Sequence, residues 1–529
     1  MALLVKKLSY SASLPTSGIN TIYLNSNNWD DYGHKTQFYV TVFDDAGGKY
    51  EIGDVKVGFI GHDGGWTAEQ LPEEPFGGFG EGYFSLGQDS DYYSALTNKL
   101  PSELKDNFLV LMKDVIHFPE LLNTVRTEQV FQTSLTRGIN SEAVFTQFQR
   151  ILQGNAILTP FNFKYSKPKS EIYSGINLSF DVSPDVKPPT NLHVLIGRNG
   201  IGKTTILNNM IGSLVVRDYE KFGTFYKAGS VFVGEQPINP DEYFSGVVSA
   251  SFSAFDPFVP PPEQINNGQL KYSYIGLKNR IGSIEDDIKV EHKGIKDFSE
   301  DFVNSVLICF SQSSKKNRWK NAIITLSSDD NFSDMNLLRF LDFDIKFDDQ
   351  KNQFKQLLRQ LYNEKMSSGH AIVLLTITKL VEKIEEKTLV ILDEPESHLH
   401  PPLLSAFTRA LSELLLQRNG IAIIATHSPV ILQEVPKSCV SIMTRSRLDS
   451  RVDRPELETF GENVGSLTRE VFGLEVAESG FHKMLKSDVE DGLNYEQVLI
   501  KYSNQLGGEA RALVKGMIYR RDQRLVGDN

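Results

Sequence analysis

A chain of 529 residues, 40% hydrophobic and 23% charged, has the composition of a globular protein with room for about three or four domains. Its formal net charge of −12 argues against a surface broadly devoted to gripping nucleic acid, since lysine and arginine neutralising phosphates drive that binding. No apolar run approaches the ~20 residues of a membrane span, and Met1-Ala2-Leu3-Leu4-Val5-Lys6-Lys7 sets its basic residues after the apolar ones, the wrong order for a secretory signal, so a cytoplasmic protein without a membrane partner is expected.

From the start to residue 154 no catalytic motif appears. Thr36–Phe43 and Lys49–Ile52, joined by Asp44-Asp45-Ala46-Gly47-Gly48, read as a β-hairpin. After a loop rich in glycine and proline from Gly61 to Tyr83, the stretches Leu104–Val125 and Ser141–Leu152 repeat apolar residues at helical spacing. Residues 1–154 are therefore expected to form an accessory α+β region.

Residues 155–255 read as the first part of a nucleotide-binding head. Phe161–Tyr165, Ile176–Val182 and Leu192–Ile196 are strand candidates, and the last runs into Gly197-Arg198-Asn199-Gly200-Ile201-Gly202-Lys203-Thr204-Thr205. This is the Walker A spacing between a strand and a helix. Glycines let backbone N–H groups converge on phosphate oxygens at the positive end of the following helix dipole. Asn199, Gly200, Gly202, Lys203, Thr204 and Thr205 are the expected ATP-binding residues, with Lys203 on the β- and γ-phosphates and the Thr204 hydroxyl on Mg²⁺. Ser230–Gln236 and Val247–Ser253 are further strand candidates. One of them should end in the loop that senses the γ-phosphate, and Gln236 has suitable chemistry without a diagnostic spacing.

Residues 256–363 are expected as a mainly helical insertion, without the sustained heptads that long coiled-coil arms need. Within it Ser314-Lys315-Lys316-Asn317-Arg318-Trp319-Lys320 mixes an aromatic with cations, as does Tyr519–Arg524 near the end; both are candidate nucleic-acid contacts and, more commonly, solvated surface. Cys309 and Cys439 offer neither a disulfide framework nor a zinc cluster and read as small buried apolar residues.

Residues 364–465 should complete the head. Met366-Ser367-Ser368-Gly369-His370 precedes an apolar helix, a second place where helix N–H groups could meet an anion. Thr388–Leu392 is an apolar strand ending in Asp393 and Glu394, the Walker B arrangement: Asp393 is expected in the Mg²⁺ shell and Glu394 as the base for the attacking water. The strand Ile421–Ala425 then ends at Thr426-His427-Ser428-Pro429, which puts His427 at the carboxyl end of the sheet as a γ-phosphate contact. His398 and His400 raise a metal site, although turn and cap roles account for them. Residues 466–529 read as helical, with no Asp-x-Asp pair or His-Asn-His pattern of a nuclease after Glu462.

The set GRNGIGKTT, MSSGH, LVILDEPESHLHP and IIATHSP resembles the ABC-type ATPases that include the overcoming-lysogenization-defect (OLD) proteins and recombination-mediator heads. More narrowly, MSSGHAIVLLTITKLVE followed by RPELETFGENVGSLTREVFGLEV looks like PtuA, the ATPase of Septu anti-phage systems and of some retron operons. The resemblance implies an α/β P-loop head of ABC type (SMC- and OLD-like), hydrolysing ATP to ADP and phosphate. Two heads would sandwich two ATP molecules, with Ser367 and Gly369 of one chain completing the other chain's site. The loop departs from Leu-Ser-Gly-Gly-Gln at methionine, Ser368 and His370, which implies slow turnover or ATP sensing. The implied partners are a second copy of the chain and an HNH nuclease like PtuB, with nucleic acid, a retron reverse transcriptase and its msDNA also in view. A nucleic-acid clamp acting in repair or recombination without a nuclease is the alternative.

Overall fold

A computed structural model describes the chain except for residues 1, 138, 140–141, 155–157, 171–174, 185, 229–235, 254–255, 265–269, 282–288, 344–347, 447–448, 479 and 528–529. Its first unit is a five-stranded sheet, β1 (Leu4–Leu8), β2 (Thr21–Ser26), β3 (Gln37–Phe43), β4 (Lys49–Phe59) and β5 (Tyr83–Gly87), in sequential order. The expected hairpin is the antiparallel pair β3–β4, and β1–β2 is the parallel pair. Helices α1 (Ser90–Lys99), α2 (Ser102–Leu111), α3 (Pro119–Val125) and α4 (Glu142–Leu152) close a core that contains Val40, Val57, Leu86, Tyr93, Phe108 and Phe148.

The head follows. Strands β6 (Phe161–Lys167) and β7 (Ile176–Val182) lead to β8 (Leu192–Ile196), α5 (Lys203–Val215), β9 (Thr224–Lys227), the two-residue β10 (Gln236–Pro237), β11 (Gly246–Ser251) and β12 (Lys271–Gly276). Of the candidate strand Ser230–Gln236, all but Gln236 lies outside the described residues. Helices α6 (Ile295–Ser311), α7 (Ser313–Leu326), α8 (Asp348–Glu364) and α9 (Ser368–Lys383) come next, then β13 (Thr388–Asp393), α10 (Pro401–Gln417), β14 (Ile421–Thr426), β15 (Val440–Ser446) and β16 (Asp449–Asp453).

The seven-stranded central sheet has the order β12-β11-β13-β14-β8-β15-β16, parallel throughout except for β16 at the edge. Its inner strands read as unbroken apolar runs because both faces are covered. Val390 and Leu392 of β13 and Ala422 and Ile424 of β14 face one core, while Leu389, Ile391, Ile421 and Ile423 face the other. The first core is roofed by α6 to α10. The second lies under α5 and the antiparallel sheet β10-β9-β6-β7.

Residues 256–363 contribute to both parts of this frame. Strand β12 is an edge strand of the central sheet, in register with β11 from Gly246 opposite Lys271. Helices α6 and α8 pack on the same core as α9: Phe354, Leu358, Leu361 and Tyr362 of α8 form one buried face at helical spacing.

The N-terminal unit is pinned to the head by buried polar contacts. Ser313 N–H at the start of α7 donates to Asp54 (2.7 Å), Gln37 donates to the Ser311 carbonyl (2.8 Å), and Ser90 donates to Glu386 (2.7 Å). Beyond the head, α11 (Val464–Glu478) leads to α12 (Gly480–Glu490), α13 (Tyr495–Lys501) and α14 (Gly508–Gly527), where Leu485, Val489, Val498, Ala510 and Val514 form a small separate core. Arg521, part of the second basic run, donates to the Val489 and Leu493 carbonyls and so serves this unit.

Candidate nucleotide-binding site

Strand β8 delivers the chain into the 197–202 loop. Gly197 can carry no side chain, because a Cβ there would stand 2.4 Å from the Met443 carbonyl oxygen on β15. Gly200 and Gly202 have φ of +81° and +98°, the left-handed region open to glycine. With Gly202 as its N-cap residue, α5 turns its first amides and its dipole toward the loop. Asn199, Gly200 and Thr205 are exposed, whereas Lys203 is buried and its Nζ donates to the carbonyls of Gly197 (2.9 Å) and Arg198 (3.1 Å).

Burial lowers the pKa of Lys203, opposed by the negative field of Glu394, Glu396 and Asp393. These groups thus converge at the carboxyl ends of the parallel strands. Asp393 ends β13, in register with Ser251 of β11 and Ala425 of β14. Burial pushes its carboxyl up to about 6, with Glu394 and Asp256 adding to the rise and the Thr204 hydroxyl and Lys203 opposing it. Its Oδ1 is buried without a hydrogen-bond partner. Such an orphan costs about 1–3 kcal/mol or more, and a divalent cation would satisfy it and reverse the shift. A carboxylate and a hydroxyl oxygen side by side suit Mg²⁺, which takes few protein ligands and completes its shell with phosphates and water. The described residues hold no cluster of three or more histidine, cysteine or acidic groups set for a metal, and His398 and His400 form none.

Glu394 has φ +48°, unusual for a non-glycine residue, fixed by its N–H donating to the Ala425 carbonyl at 2.9 Å. The turn leaves its side chain 30% exposed, 3.7 Å from Nδ1 of His427. A third carboxylate that motif spacing passed over, Glu396, meets the same histidine. Its Oε1 accepts from the Thr426 hydroxyl (2.6 Å) and the His427 N–H (2.7 Å) and lies 3.0 Å from His427 Nδ1. Glu396 therefore sets the ring position of His427. The signal was present in DEPES, two residues after the Walker B glutamate.

Lys203, Thr204, Asp393, Glu394 and His427 come together in one chain; Ser367 and Gly369 take other partners. Ser367 is exposed and is the N-cap residue of α9, its hydroxyl 2.6 Å from Nδ1 of His370. His370 Nε2 lies 3.2 Å from Asp329, whose other oxygen lies 3.0 Å from His400 Nε2. Gly369 is buried so closely that a Cβ would meet the His398 carbonyl oxygen at 2.5 Å. The serine loop is thus fastened to the DEPESHLHP turn through Asp329, a residue no motif singled out. Gln236 lies at the exposed edge of the antiparallel sheet, paired with Lys227. Strand β11 instead ends beside Asp393, and Asp256, beyond it in sequence, pairs with Lys278 at 3.8 Å and adds negative field at Asp393.

A P-loop between a central parallel strand and its helix, Walker B carboxylates on a neighbouring strand and an antiparallel sheet over one face define an ATPase head of the ABC type. Two solved structures similar to the chain are the ADP conformation of an ATP-binding cassette of an ABC transporter, at 14% identity over 60% of this chain and 98% of that one with a TM-score of 0.29, and the SMC head domain from Thermotoga maritima, at 14% identity over 56% and 100% with a TM-score of 0.26. The profile of the family described as AAA domain, putative AbiEii toxin, Type IV TA system matches residues 311–433, which span the serine loop, Walker B and His427. Protein ea59 of Escherichia phage lambda is 43% identical over 523 residues, 96% of this chain and 97% of that protein. The chain belongs to the ea59 family. Among the described residues no helix is long and apolar enough to cross a membrane.

Proposed function

We propose that the chain binds and hydrolyses ATP at the P-loop, that two heads close on two nucleotides, and that the closed pair governs a partner HNH nuclease in anti-phage defence. The observation that carries the first step is the convergence of Lys203, Thr204, Asp393, Glu394 and His427 at the carboxyl ends of the parallel strands. The loop amides and Lys203 would hold the phosphates, with the ammonium leaving the Gly197 and Arg198 carbonyls for them. Thr204 and Asp393 would hold Mg²⁺, which when bound neutralises charge on the phosphate oxygens. Glu394 takes the proton of the attacking water, and His427, oriented by Glu396, donates to the γ-phosphate.

Dimerisation rests on the serine loop. Ser367 and Ser368 are exposed at the start of a 16-residue helix, and Ser367 makes no hydrogen bond to its own P-loop, so this helix end, with its dipole, faces outward toward a nucleotide on a second copy. His370, which replaces glutamine, is turned inward to Asp329, consistent with slow turnover. Nuclease control rests on the resemblance to PtuA and on the want of a nuclease motif after Glu462. A relative encoded by a phage fits a device that one phage carries against others. The nucleic-acid clamp loses its main sequence support, because Arg318 and Trp319 are buried and Lys316 donates to the Leu341 carbonyl.

Light scattering on Glu394→Gln with Mg²⁺ and ATP tests the dimer. The mass should double with ATP and not with ADP, and Ser367→Arg should stay at the single-chain mass; a mass indifferent to nucleotide refutes the closed pair.

A further inference from the structure

A cavity of about 180 Å³ separates the N-terminal sheet from the head. Its walls are the loop at Trp29, Asp31 and Tyr32, the first residues of β11 and β13, part of β12, and the junction of α6 with α7. Thr388, on its wall, begins β13, and Asp393 ends that strand five residues later, roughly 16 Å away at about 3.3 Å per residue. The cavity therefore lies at the opposite end of the sheet from the nucleotide site.

The charge of the lining does not balance. Lys56, Arg137, Lys271, Lys315 and Lys383 line it together with Asp31, Glu382 and Glu385, five cations against three carboxylates, in a chain whose net charge is −12. Lys271 pairs with Glu385 (3.1 Å) and Lys383 with Glu382 (3.0 Å). Asp31 takes both Lys56 (2.7 Å) and Arg137 (2.6 Å), which leaves one positive charge over. Lys315 is the second. Among the described residues it has no hydrogen bond and no ion pair within 4.0 Å, and it sits in the first turn of α7, where the helix dipole disfavours a cation. Burial pushes its ammonium down to about 8. Glu385 and Glu382 across the cavity oppose that fall only in part, being already paired with Lys271 and Lys383, and the two surplus charges come one from each side of the domain junction.

Volume narrows the occupant. At ~30 Å³ per water the space holds about six, which admits a tetrahedral oxyanion with a few waters and is smaller than the roughly 300 Å³ where pockets for larger ligands begin. We infer that this cavity is a binding site for a phosphate-sized dianion, held by Lys315 from the head and by Arg137 and Lys56 from the N-terminal unit, and that the anion stiffens the junction between them. Such a ligand is a regulator of the head and not its substrate.

The test is thermal melting in a Lys203→Ala background, which removes the P-loop as a competing anion site. Potassium phosphate should raise the melting temperature with increasing concentration relative to potassium chloride of equal ionic strength. Adding Lys315→Met or Lys315→Gln should weaken the apparent phosphate affinity at least tenfold. Without phosphate, these variants should melt at or above their parent, because an unpaired cation has been removed. A parent indifferent to phosphate, an undiminished shift in both lysine variants, or a lower melting point for both without ligand would each overturn the inference. Glycerol 3-phosphate run in parallel distinguishes the source: tighter binding than orthophosphate assigns an organic phosphate, weaker binding assigns the free ion.

Discussion

Replacing Glu396 with glutamine isolates what holds His427. The carboxylate receives the Thr426 hydroxyl (2.6 Å) and the His427 amide (2.7 Å) and faces the imidazole Nδ1 at 3.0 Å. A carboxamide oxygen keeps an acceptor for the first two and loses the charge that orients the ring. Hydrogen bonds to charged groups contribute about 1.5–3 kcal/mol, and His427 is 45% exposed, so the lower part of that range applies, about 1.5–2 kcal/mol. At 1.36 kcal/mol per factor of ten, kcat should fall roughly ten- to thirtyfold. The phosphates are held chiefly elsewhere, so the KM for ATP should change less than about threefold. Steady-state phosphate release measures both. A kcat within twofold of the parent, with His427→Ala strongly impaired, would refute the role of Glu396.

Burial, with Asp89 adding to it, raises Asp54 to about 7, above its ordinary value of 3.8. Between those values this group binds more protons in the folded state than in the unfolded one, so its contribution to stability falls as pH rises from about 4 through 7, while His193, pushed down to about 3 by burial, works in the opposite direction up to about 6.5. Asp114, also raised to about 7 by burial, contributes in the same direction as Asp54, and Asp54→Asn should flatten only part of the slope in denaturant unfolding followed against pH. Gly369→Ala forces the α9 N-terminus off the His398 carbonyl and should cost about 1–3 kcal/mol, read as a lower denaturant midpoint together with reduced ATP turnover. Arg318→Met removes a cation 4% exposed between buried Asp89 (3.9 Å) and Asp91 (3.5 Å), and should destabilise by about 1–3 kcal/mol, below the range for a broken buried pair because the contacts are long and Asp91 is 63% exposed. Unfolding within 1 kcal/mol of the parent would count against that network.

The central strands and their motifs were legible because both kinds of signal act locally. An apolar strand buried on both faces is a continuous run, and a phosphate loop needs glycine at particular backbone positions, as Gly197, Gly200 and Gly202 show. What escaped depends on partners distant in sequence. Strand β12 shows little contrast, since only Tyr272, Ile275 and Gly276 are buried, and its place in the sheet follows from pairing with β11. Asp329 gains meaning only when α9 and the DEPESHLHP turn meet over it. The basic run at 315–320 looked like surface because its charges were counted without their phase. Arg318 lies on the same helical face as Trp319, Ala322, Ile323 and Leu326, all buried, and the period of the apolar residues could have shown it.

ATP binding and turnover by the purified protein test the central claim most directly. With Mg²⁺, the parent should bind ATP and release phosphate, Lys203→Ala should fail to bind, and Glu394→Gln should bind ATP and retain it uncleaved. An unaltered parent that binds no ATP, or a Lys203→Ala variant that turns it over at the parent's rate, would contradict the account.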